Sequence, residues 1–315
     1  MPDARKLILV NKLSPGDVAC MTAAVHSLHR FYPGRFVTAV DTTCPALWEH
    51  NPDVVSLEEA TKDGSFESIP MHYNLINASN QRAVHVLDGY CDHLEQVLGQ
   101  RVPLLTNRPM IYLSNEETHW LPQVEEITKR PTKYWVVNAG VKSCYTAKQW
   151  HGYQEVVDAL QGRVQFVQIG KGEHTHPPLS GVFDLRGQTD DRQLIRLVYH
   201  AQGVLCGLTF LMHLGAALQK PAVILAGGRE GRQWNTYPFQ VLFSNVGQLP
   251  CCRQEACWKS RTIPLGDGQE QDQPDKLCTS PVMTPVPVPR CMALITPQEV
   301  TRAILGFYDG GVLTP

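Results

Sequence analysis

Apolar residues along the first hundred positions form short continuous runs that alternate with one-sided helical patterns. Leu7–Val10 predicts a buried strand, and Val18–Phe31 has apolar residues at three- and four-residue spacing, which predicts an amphipathic helix. Phe36–Val40 predicts a second strand, Cys44–His50 a short helix and Val84–Leu98 a later helix. A strand, a crossover helix and another strand in succession predict a parallel sheet with right-handed connections.

A second series of the same kind begins after Pro131. Its strands and helices are predicted in this order: Tyr134–Asn138, Trp150–Leu160, Val164–Ile169, Asp191–His200, Val204–Cys206, Phe210–Leu218 and Pro221–Ala226. Two such series predict an α/β protein with two Rossmann-like, doubly wound domains, residues 1–130 and 131–295. Ligands of such domains bind at the carboxyl ends of the strands, so the site is expected in a cleft between the two.

The pattern changes after Leu249. Pro, Gly, Gln and Asp dominate through Pro289 without any periodicity, so residues 249–292 are predicted to form an irregular insert in the second domain. Thr296 and Pro297 then form a pattern typical of a helix start, an N-cap followed by proline at the first helical position. The sequence therefore predicts a last helix, to about Tyr308, within a terminal segment of residues 296–315.

Composition fits a folded protein and excludes several classes of function. The 315 residues are 43% hydrophobic and 18% charged, with a formal net charge of −2. A chain of this length is sufficient for two domains, and the absence of a basic face argues against a nucleic-acid partner. No apolar stretch approaches the roughly 18 residues of a membrane span, and the first apolar run is too short for a secretory signal. We therefore expect a cytoplasmic protein without a membrane span.

The turn that follows Gly207 has the clearest chemical pattern. It follows a predicted strand and opens a helix, and its candidate phosphate-binding residues are Thr209, Phe210, Leu211, Met212 and His213. The free N–H groups of a first helical turn, together with the helix dipole, bind anions. The same spacing also fits a threonine that only caps the helix and a histidine that packs against the sheet. Spacing alone does not decide between these alternatives.

Two further junctions between a strand and a helix carry polar residues. Thr146 and Lys148 follow the strand Tyr134–Asn138, where a hydroxyl and a cation suit a diphosphate leaving group. The alternative is a solvated lysine at a helix start. Gly16 and Asp17 follow the first strand, and the carboxylate is either a helix N-cap or a general base that faces the cleft.

The cysteines are unevenly distributed. Five of the ten lie in the last quarter of the chain: Cys251, Cys252, Cys257, Cys278 and Cys291. In a reducing compartment such a cluster favours metal binding over disulfides, with four thiolates holding Zn²⁺ or iron in a structural site. Because five thiols compete for four positions, either Cys251 or Cys252 is expected to be spare. The alternative is a set of unpaired, partly buried thiols.

The order of these motifs resembles the family 9 glycosyltransferases, the ADP-heptose:lipopolysaccharide heptosyltransferase group, which have the GT-B fold. The resemblance spans nearly the whole chain. It rests on six stretches: Gly16-Asp17, Phe31–Gly34, Asn51–Val55, Lys148–Trp150, Leu185–Thr189 and Thr209–Pro221.

This resemblance implies an inverting glycosyltransferase that needs no catalytic metal. It would move a sugar, such as a heptose, from a nucleoside-diphosphate sugar, first of all an ADP-sugar, to a hydroxyl of a glycan, a lipid-linked sugar or a protein. Asp17 would be the general base. Thr146, Lys148 and the residues from Thr209 to His213 would hold the phosphates, and Glu173 would bind the ribose hydroxyls unless it belongs to an exposed turn. Some family members also have a four-cysteine iron site in a comparable C-terminal region.

One departure from the family pattern keeps other functions open. Where the family has Asp directly before the threonine and Gly directly after it, this chain has Leu208 and Phe210. Any bond from that Asp is lost, so the donor can differ from ADP-heptose. A nucleotide-sugar-binding protein without catalysis remains an alternative. A GT-B sugar-nucleotide epimerase is another, but it would need further carboxylates in the cleft.

Overall fold

The computed structural model describes residues 4–62, 64–172, 174–253 and 255–314. Its first half contains a three-stranded parallel sheet in the order β2-β1-β3. The strands are β1 (Arg5–Asn11), β2 (Phe36–Thr42) and β3 (Glu67–Pro70). The helices of this half are α1 (Pro15–Phe31), α2 (Leu57–Thr61), α3 (Val86–Leu98) and α4 (Gln123–Thr128).

The second half contains a six-stranded parallel sheet in the order β6-β5-β4-β7-β8-β9. Its strands are β4 (Tyr134–Asn138), β5 (Gln165–Gln168), β6 (Phe183–Asp184), β7 (Gly203–Gly207), β8 (Ala222–Gly227) and β9 (Gln240–Ser244). The helices between them are α5 (Tyr153–Ala159), α6 (Asp191–His200) and α7 (Phe210–Ala217). The strand order reverses between β4 and β7, and ligands of open α/β sheets bind at such a switch point.

Helix α1 is buried over most of its length because it packs against α3 on one side and against α7 of the second half on the other. Its buried hydroxyls are satisfied within the helix, where Thr22 donates to the Ala19 carbonyl oxygen at 2.6 Å and Ser27 to that of Ala23 at 2.7 Å. This packing brings the N-terminal turn of α1 next to the first turn of α7.

The end of the chain returns to the second sheet. It contains a short antiparallel hairpin, β10 (Pro281–Met283) and β11 (Pro287–Pro289), followed by helices α8 (Arg290–Ala293) and α9 (Pro297–Asp309). Thr296 and Glu299 form the capping box of α9, which confirms the predicted helix start. Helix α9 packs on α5.

The predicted α/β class with parallel sheets is confirmed, and several boundaries change. Cys44–His50 forms only a 3₁₀ turn at Pro45–Trp48, and the helix predicted from Trp150 begins at Tyr153. Strands β3, β6 and β9 had no prediction from the sequence, because they are partly exposed edge strands with little apolar signal. Among the described residues, no helix combines the length and the apolar character that a membrane crossing requires.

Candidate functional site

A cavity of about 580 Å³ lies between the start of α1 and the carboxyl ends of the second sheet. Ser14–Asp17 forms part of one wall, and segments that follow β4, β5, β7 and β8 form the other. Ligand sites in proteins typically measure roughly 300–1,000 Å³, so this cavity has room for a nucleotide-sized molecule.

Asp17 is the third residue of α1, and Ser14 occupies the N-cap position instead. The Asp17 carboxylate accepts hydrogen bonds from the Ser14 backbone N–H and from the Tyr73 hydroxyl. Burial raises the pKa of Asp17 above its ordinary value, although the positive charge of Lys148 opposes this shift. A carboxylate with a raised pKa is a better proton acceptor near neutral pH. The geometry is therefore compatible with a general base.

Gly16 allows α1 to approach His213. A Cβ atom at Gly16 would lie 3.1 Å from His213 Cδ2, closer than a side chain tolerates without movement. On the other edge of the imidazole, Nδ1 lies 2.8 Å from the Tyr237 hydroxyl and 3.3 Å from the Cys20 sulfur. Burial lowers the pKa of His213 to about 3, so the ring is neutral at pH 7. With Tyr237 donating to Nδ1, we assign the remaining proton to Nε2, where it is available to an anion.

The first turn of α7 lines the cavity with all five residues predicted from the sequence, Thr209, Phe210, Leu211, Met212 and His213. The Met212 N–H donates to the Thr209 carbonyl oxygen at 3.1 Å, whereas the N–H groups at the two preceding positions have no acceptor within a helix. The Thr209 hydroxyl oxygen is itself buried, and apart from the Cys206 thiol it has no hydrogen-bond partner in the described part of the chain. The available donors are therefore backbone N–H groups.

Lys148 lies in the cavity wall beside this turn. Its ammonium is 3.0 Å from the Leu208 carbonyl oxygen and 3.0 Å from the Glu230 carboxylate. Burial lowers the pKa of Lys148, and the charges of Glu230 and Asp17 oppose that shift. Thr146 is not brought into the cavity lining: its hydroxyl oxygen accepts the Thr262 N–H at 3.0 Å and so anchors the cysteine-rich segment. Glu173 lies outside the described residues.

Several cavity residues had no prediction from the sequence. After β8 come Arg229 and Glu230, followed by Asn235. Besides the predicted Phe210, four aromatic side chains are in the lining: Tyr73, Tyr145, Trp234 and Trp258. Burial alone would raise the pKa of Glu230, but Lys148 and Arg229 lower it to about 2. A charged pair one residue after an entirely apolar strand is the signal that would have identified this loop.

The five C-terminal cysteines line a second, much smaller void of about 10 Å³. Backbone N–H groups donate to three of the sulfurs: Lys259 to Cys257, Ser280 to Cys278 and Gly228 to Cys291. Cys252 differs, because its thiol contacts the carbonyl oxygens of Asn245 and Leu249 at 3.5 and 3.6 Å.

The five thiols are suitable ligands for a soft metal ion, but their sulfur atoms are farther apart than the ligands of a bound ion. Bound Zn²⁺ has sulfur ligands at about 2.3 Å, which places two tetrahedral ligands about 3.8 Å apart. In the described ranges, no three of these sulfurs lie within 4.8 Å of one another. Side-chain rotation around the void would therefore be required for four of them to hold one ion.

A second cluster of potential metal ligands, Glu49, His50 and Glu117, is already paired with the positively charged side chain of Arg192. The Arg192 guanidinium donates to Glu117 and lies 3.5 Å from Glu49, and it also donates to the Ala46 carbonyl oxygen at 3.1 Å. This cluster therefore joins α6 to the first half of the chain through an arginine.

No protein-family model matches the chain, and no curated protein matches its sequence. Solved structures do match. The chain is similar to the glycosyl transferase family 9 protein from Veillonella parvula, with a TM-score of 0.61 and 14% identity over 79% of this chain and 90% of that one. It is similar to ADP-heptose lps heptosyltransferase II from E. coli, with a TM-score of 0.59 and 13% identity over 98% and 100%.

A third similar structure is the bacterial iron-containing dodecameric glycosyltransferase TibC from enterotoxigenic E. coli H10407. It has a TM-score of 0.64 and 16% identity over 98% of this chain and 77% of that one. At these identities the likeness concerns the backbone, and it covers the elements that carry Asp17, Lys148 and His213. The chain therefore has the fold of the family 9 glycosyltransferases, as its sequence motifs implied.

Proposed function

We propose that this protein is an inverting glycosyltransferase that moves a sugar from a nucleoside-diphosphate sugar to a hydroxyl acceptor. One observation carries the proposal: Asp17 from the first half of the chain and the first turn of α7 from the second half line the same cavity, with Lys148 beside them. In-line displacement of a diphosphate needs a proton acceptor on one wall of the cavity and an anion site on the other.

The reaction follows from the position of these groups. The acceptor oxygen attacks the anomeric carbon as Asp17 takes the hydroxyl proton, and the bond from that carbon to the diphosphate oxygen breaks. The negative charge that develops on the diphosphate is stabilised by the N–H groups of the α7 turn, by Nε2 of His213 and by Lys148. Attack opposite to the leaving group inverts the anomeric configuration.

We further propose the two-domain GT-B arrangement for this chain, with residues 1–130 binding the acceptor and residues 131–295 binding the donor. The reversal of strand order in the second sheet supports this division, as does the position of the cavity. Residues 249–292 are then an insert in the donor domain, and residues 296–315 complete it. A cytoplasmic location belongs to the same proposal, because ten free thiols persist only in a reducing compartment.

An ADP-sugar is the proposed donor. TibC has a structure in complex with ADP-D-beta-D-heptose, and the E. coli heptosyltransferase WaaC has one with ADP. Gly170, Lys171 and Gly172 line the cavity at the end of β5, and together with Glu173 they are the proposed nucleoside contacts. The acceptor is proposed to be a glycan, a lipid-linked sugar or a protein, since a net charge of −2 does not favour nucleic acid.

Asp17→Asn tests the base. We expect transfer from an ADP-sugar to fall by about 10²–10⁴-fold, while ADP binding measured by calorimetry is retained. Activity of the unmodified protein should also fall on the acid side, as pH drops through the raised pKa of Asp17. Asp41→Asn is the matched control, because Asp41 lies near the end of β2 in the same half of the chain but pairs with Lys12 outside the cavity. Equal loss of transfer and ADP binding in Asp17→Asn would refute the assignment.

Two other functions make different predictions. Leu208 and the buried Thr209 hydroxyl favour a nucleotide-sugar-binding protein, which would bind ADP, UDP or GDP and transfer or hydrolyse none of their sugars. An epimerase needs a further carboxylate that exchanges protons, and Glu230 does line the cavity. Its pKa of about 2 keeps it ionised at neutral pH, which is unsuitable for proton exchange.

We also propose that Cys251, Cys257, Cys278 and Cys291 bind structural iron or zinc. The shared void and the N–H···S bonds support this set, and the iron-containing TibC has a similar fold. A metal there would cross-link the irregular segment, because a closed four-thiolate site leaves no position for a substrate. Cys252 is the spare thiol.

Metal analysis of matched serine variants tests this ligand set. Cys257→Ser should lose the metal and unfold at a lower temperature, whereas Cys252→Ser should retain it. Both are single exchanges of sulfur for oxygen in the same segment, and Cys252 is the more buried of the two. A loss of metal in Cys257→Ser alone would therefore not be explained by packing. Equal metal content in the two variants would contradict the proposed ligands.

A further inference from the structure

Glu230 is a buried carboxylate that none of the sequence motifs includes. Its side chain is 9% exposed and forms part of the cavity wall after β8. A buried charge is costly unless it is paired and hydrogen-bonded. Here the carboxylate meets the Lys148 ammonium at 3.0 Å, the Asn235 amide nitrogen at 2.6 Å and the Arg229 guanidinium. The loop therefore holds an ionised carboxylate at a fixed place in the cavity.

Lys148 is fixed by this carboxylate and by the phosphate-binding turn together. Its ammonium has three N–H donors on a flexible four-carbon stem. One donates to the Leu208 carbonyl oxygen and another to Glu230, each at 3.0 Å. The third remains for a ligand in the cavity that Lys148 lines. Two acceptors from different loops thus restrict a side chain that would otherwise be mobile.

The turn before Thr209 has no acidic side chain of its own, because position 208 is leucine. Leu208 also lines the cavity and is 5% exposed. Strand β8 is the direct neighbour of β7, with Gly207 opposite Leu225, so the loops after these two strands emerge side by side. A carboxylate from the loop after β8 therefore reaches the same ammonium that the main chain of the turn contacts.

We propose that Glu230 is a positioning residue: it supplies from the loop after β8 the carboxylate that the turn before Thr209 lacks, and it holds Lys148 against the diphosphate of the nucleotide. This inference rests on the proposed function. Asn235 donates to Oε2 and keeps the carboxylate oriented, and Arg229 shares Oε1 with Lys148 and balances the charge there.

Charge coupling gives the inference a distinctive pH signature. The titratable groups that interact with Glu230 are Lys148, Arg229, Asp17, His213, Tyr73 and Tyr145. The negative charge of Glu230 supports the protonated form of Lys148 against burial, and it raises the pKa of Asp17. Removal of that charge should lower the pKa of Lys148 and the pKa of Asp17. The bell-shaped dependence of the transfer rate on pH should therefore shift to lower pH on its acid side and on its alkaline side.

ADP binding measured by calorimetry over a series of pH values tests this directly. In Glu230→Gln, we expect the alkaline loss of affinity to occur one pH unit or more earlier, which is about tenfold weaker binding above that pH. Glu230→Asp keeps the negative charge, so its ADP affinity should be lost at the same alkaline pH as in the unmodified protein. The double variant Leu208→Asp with Glu230→Gln should regain ADP affinity at alkaline pH, because it again has a carboxylate beside Lys148. Glu126→Gln, which removes an exposed partner of Arg196 outside the cavity, is the matched control.

The outcomes separate this inference from the proposed function. If the unmodified protein binds none of ADP, UDP and GDP, both are overturned. If it binds ADP and Glu230→Gln shows the same alkaline limb, only the role of Glu230 is overturned. Equal loss at every pH in Glu230→Gln and Glu230→Asp would reduce Glu230 to a packing role and would likewise overturn it. Thermal unfolding of each variant confirms that the compared proteins are folded.

Discussion

The turn that opens α7 contacts Lys148 directly, and the cysteine-rich segment (residues 249–292) contacts the adjacent residues Ala147 and Arg229. The two regions are nevertheless built by different rules. The α7 turn follows from local pattern: a buried strand, a glycine and the start of an apolar helix. The cysteine-rich segment has little regular structure and depends on bonds across the chain. Ser260 accepts the Ala147 N–H at 3.1 Å, and the Cys257 N–H donates to Gly228 at 3.2 Å.

The cavity site is therefore built in two ways, by a local turn and by a segment held through long-range bonds. The turn provides donors because any helix start has them. The segment provides no predicted phosphate ligand, but it holds the main chain beside Lys148 and Glu230. Arg229 lines both the large cavity and the cysteine-lined void, so the two regions share a wall. A disturbance of the segment should therefore reach the nucleotide site, whereas a change to the turn should remain local.

The largest effect is expected from Gly228→Val, which acts where the two regions meet. A Cβ atom there would lie 2.9 Å from the Cys252 sulfur and 3.5 Å from Cys291 Cβ. Overpacking of this kind costs about 1–3 kcal/mol, and the displaced loop should also weaken ADP binding. Gly306→Ala in α9 is the control, since nothing lies within 4 Å of the added atom. Intact ADP binding in a destabilised Gly228→Val protein would show that the regions are independent.

An intermediate effect is expected from Arg261→Met, which acts on the segment and on its bond to Ser143. The Arg261 side chain is fully buried and donates to Asp267, Asp272 and the Ser143 carbonyl oxygen. Its loss removes the centre of the segment while the parallel sheets keep their own packing. Limited proteolysis should then cut first within residues 249–292, and hydrogen exchange in β4 and β7 should be unchanged. Uniformly faster exchange throughout the protein would indicate that the segment folds together with the sheets.

The smallest effect is expected from Thr209→Ala in the turn. Replacement of a helix N-cap usually costs about 1 kcal/mol, but the Thr209 side chain makes no capping hydrogen bond. We therefore expect less than about 0.5 kcal/mol in stability by chemical denaturation and nearly unchanged ADP binding. A large loss of ADP affinity would mean that the hydroxyl rotates into the cavity and binds phosphate.

The contrast also explains how much the sequence could predict. Periodicity identified β1, α1, β4, α6 and α7, because each buries one face or both within a regular element. Asp17, Lys148 and the α7 turn follow such elements, so they could be predicted as cavity residues. Glu230 and Tyr73 could not, since they reach the cavity through loops whose course depends on distant contacts.

Thr146 lies outside the cavity lining, although local spacing pairs it with Lys148. Its spacing from Lys148 predicted a shared role in phosphate binding. Both residues belong to a 3₁₀ stretch, Ser143–Lys148, that is kinked at Tyr145, and Thr262 of the cysteine-rich segment binds the Thr146 hydroxyl. A contact between residues 116 positions apart leaves no trace in the local pattern. Of the two side chains, Lys148 is the one in the cavity lining.

The hydrogen bonds between the cysteine-rich segment and its surroundings define the smallest transplantable unit of this protein. Exchange of residues 249–292 alone for the corresponding segment of a relative would leave Gly228, Arg229 and Ala147 facing main-chain partners of a different shape. A working chimera would have to carry three pieces together: the Ser143–Lys148 stretch, the loop after β8 and the segment itself. Although they are separated along the chain, these pieces form one structural part.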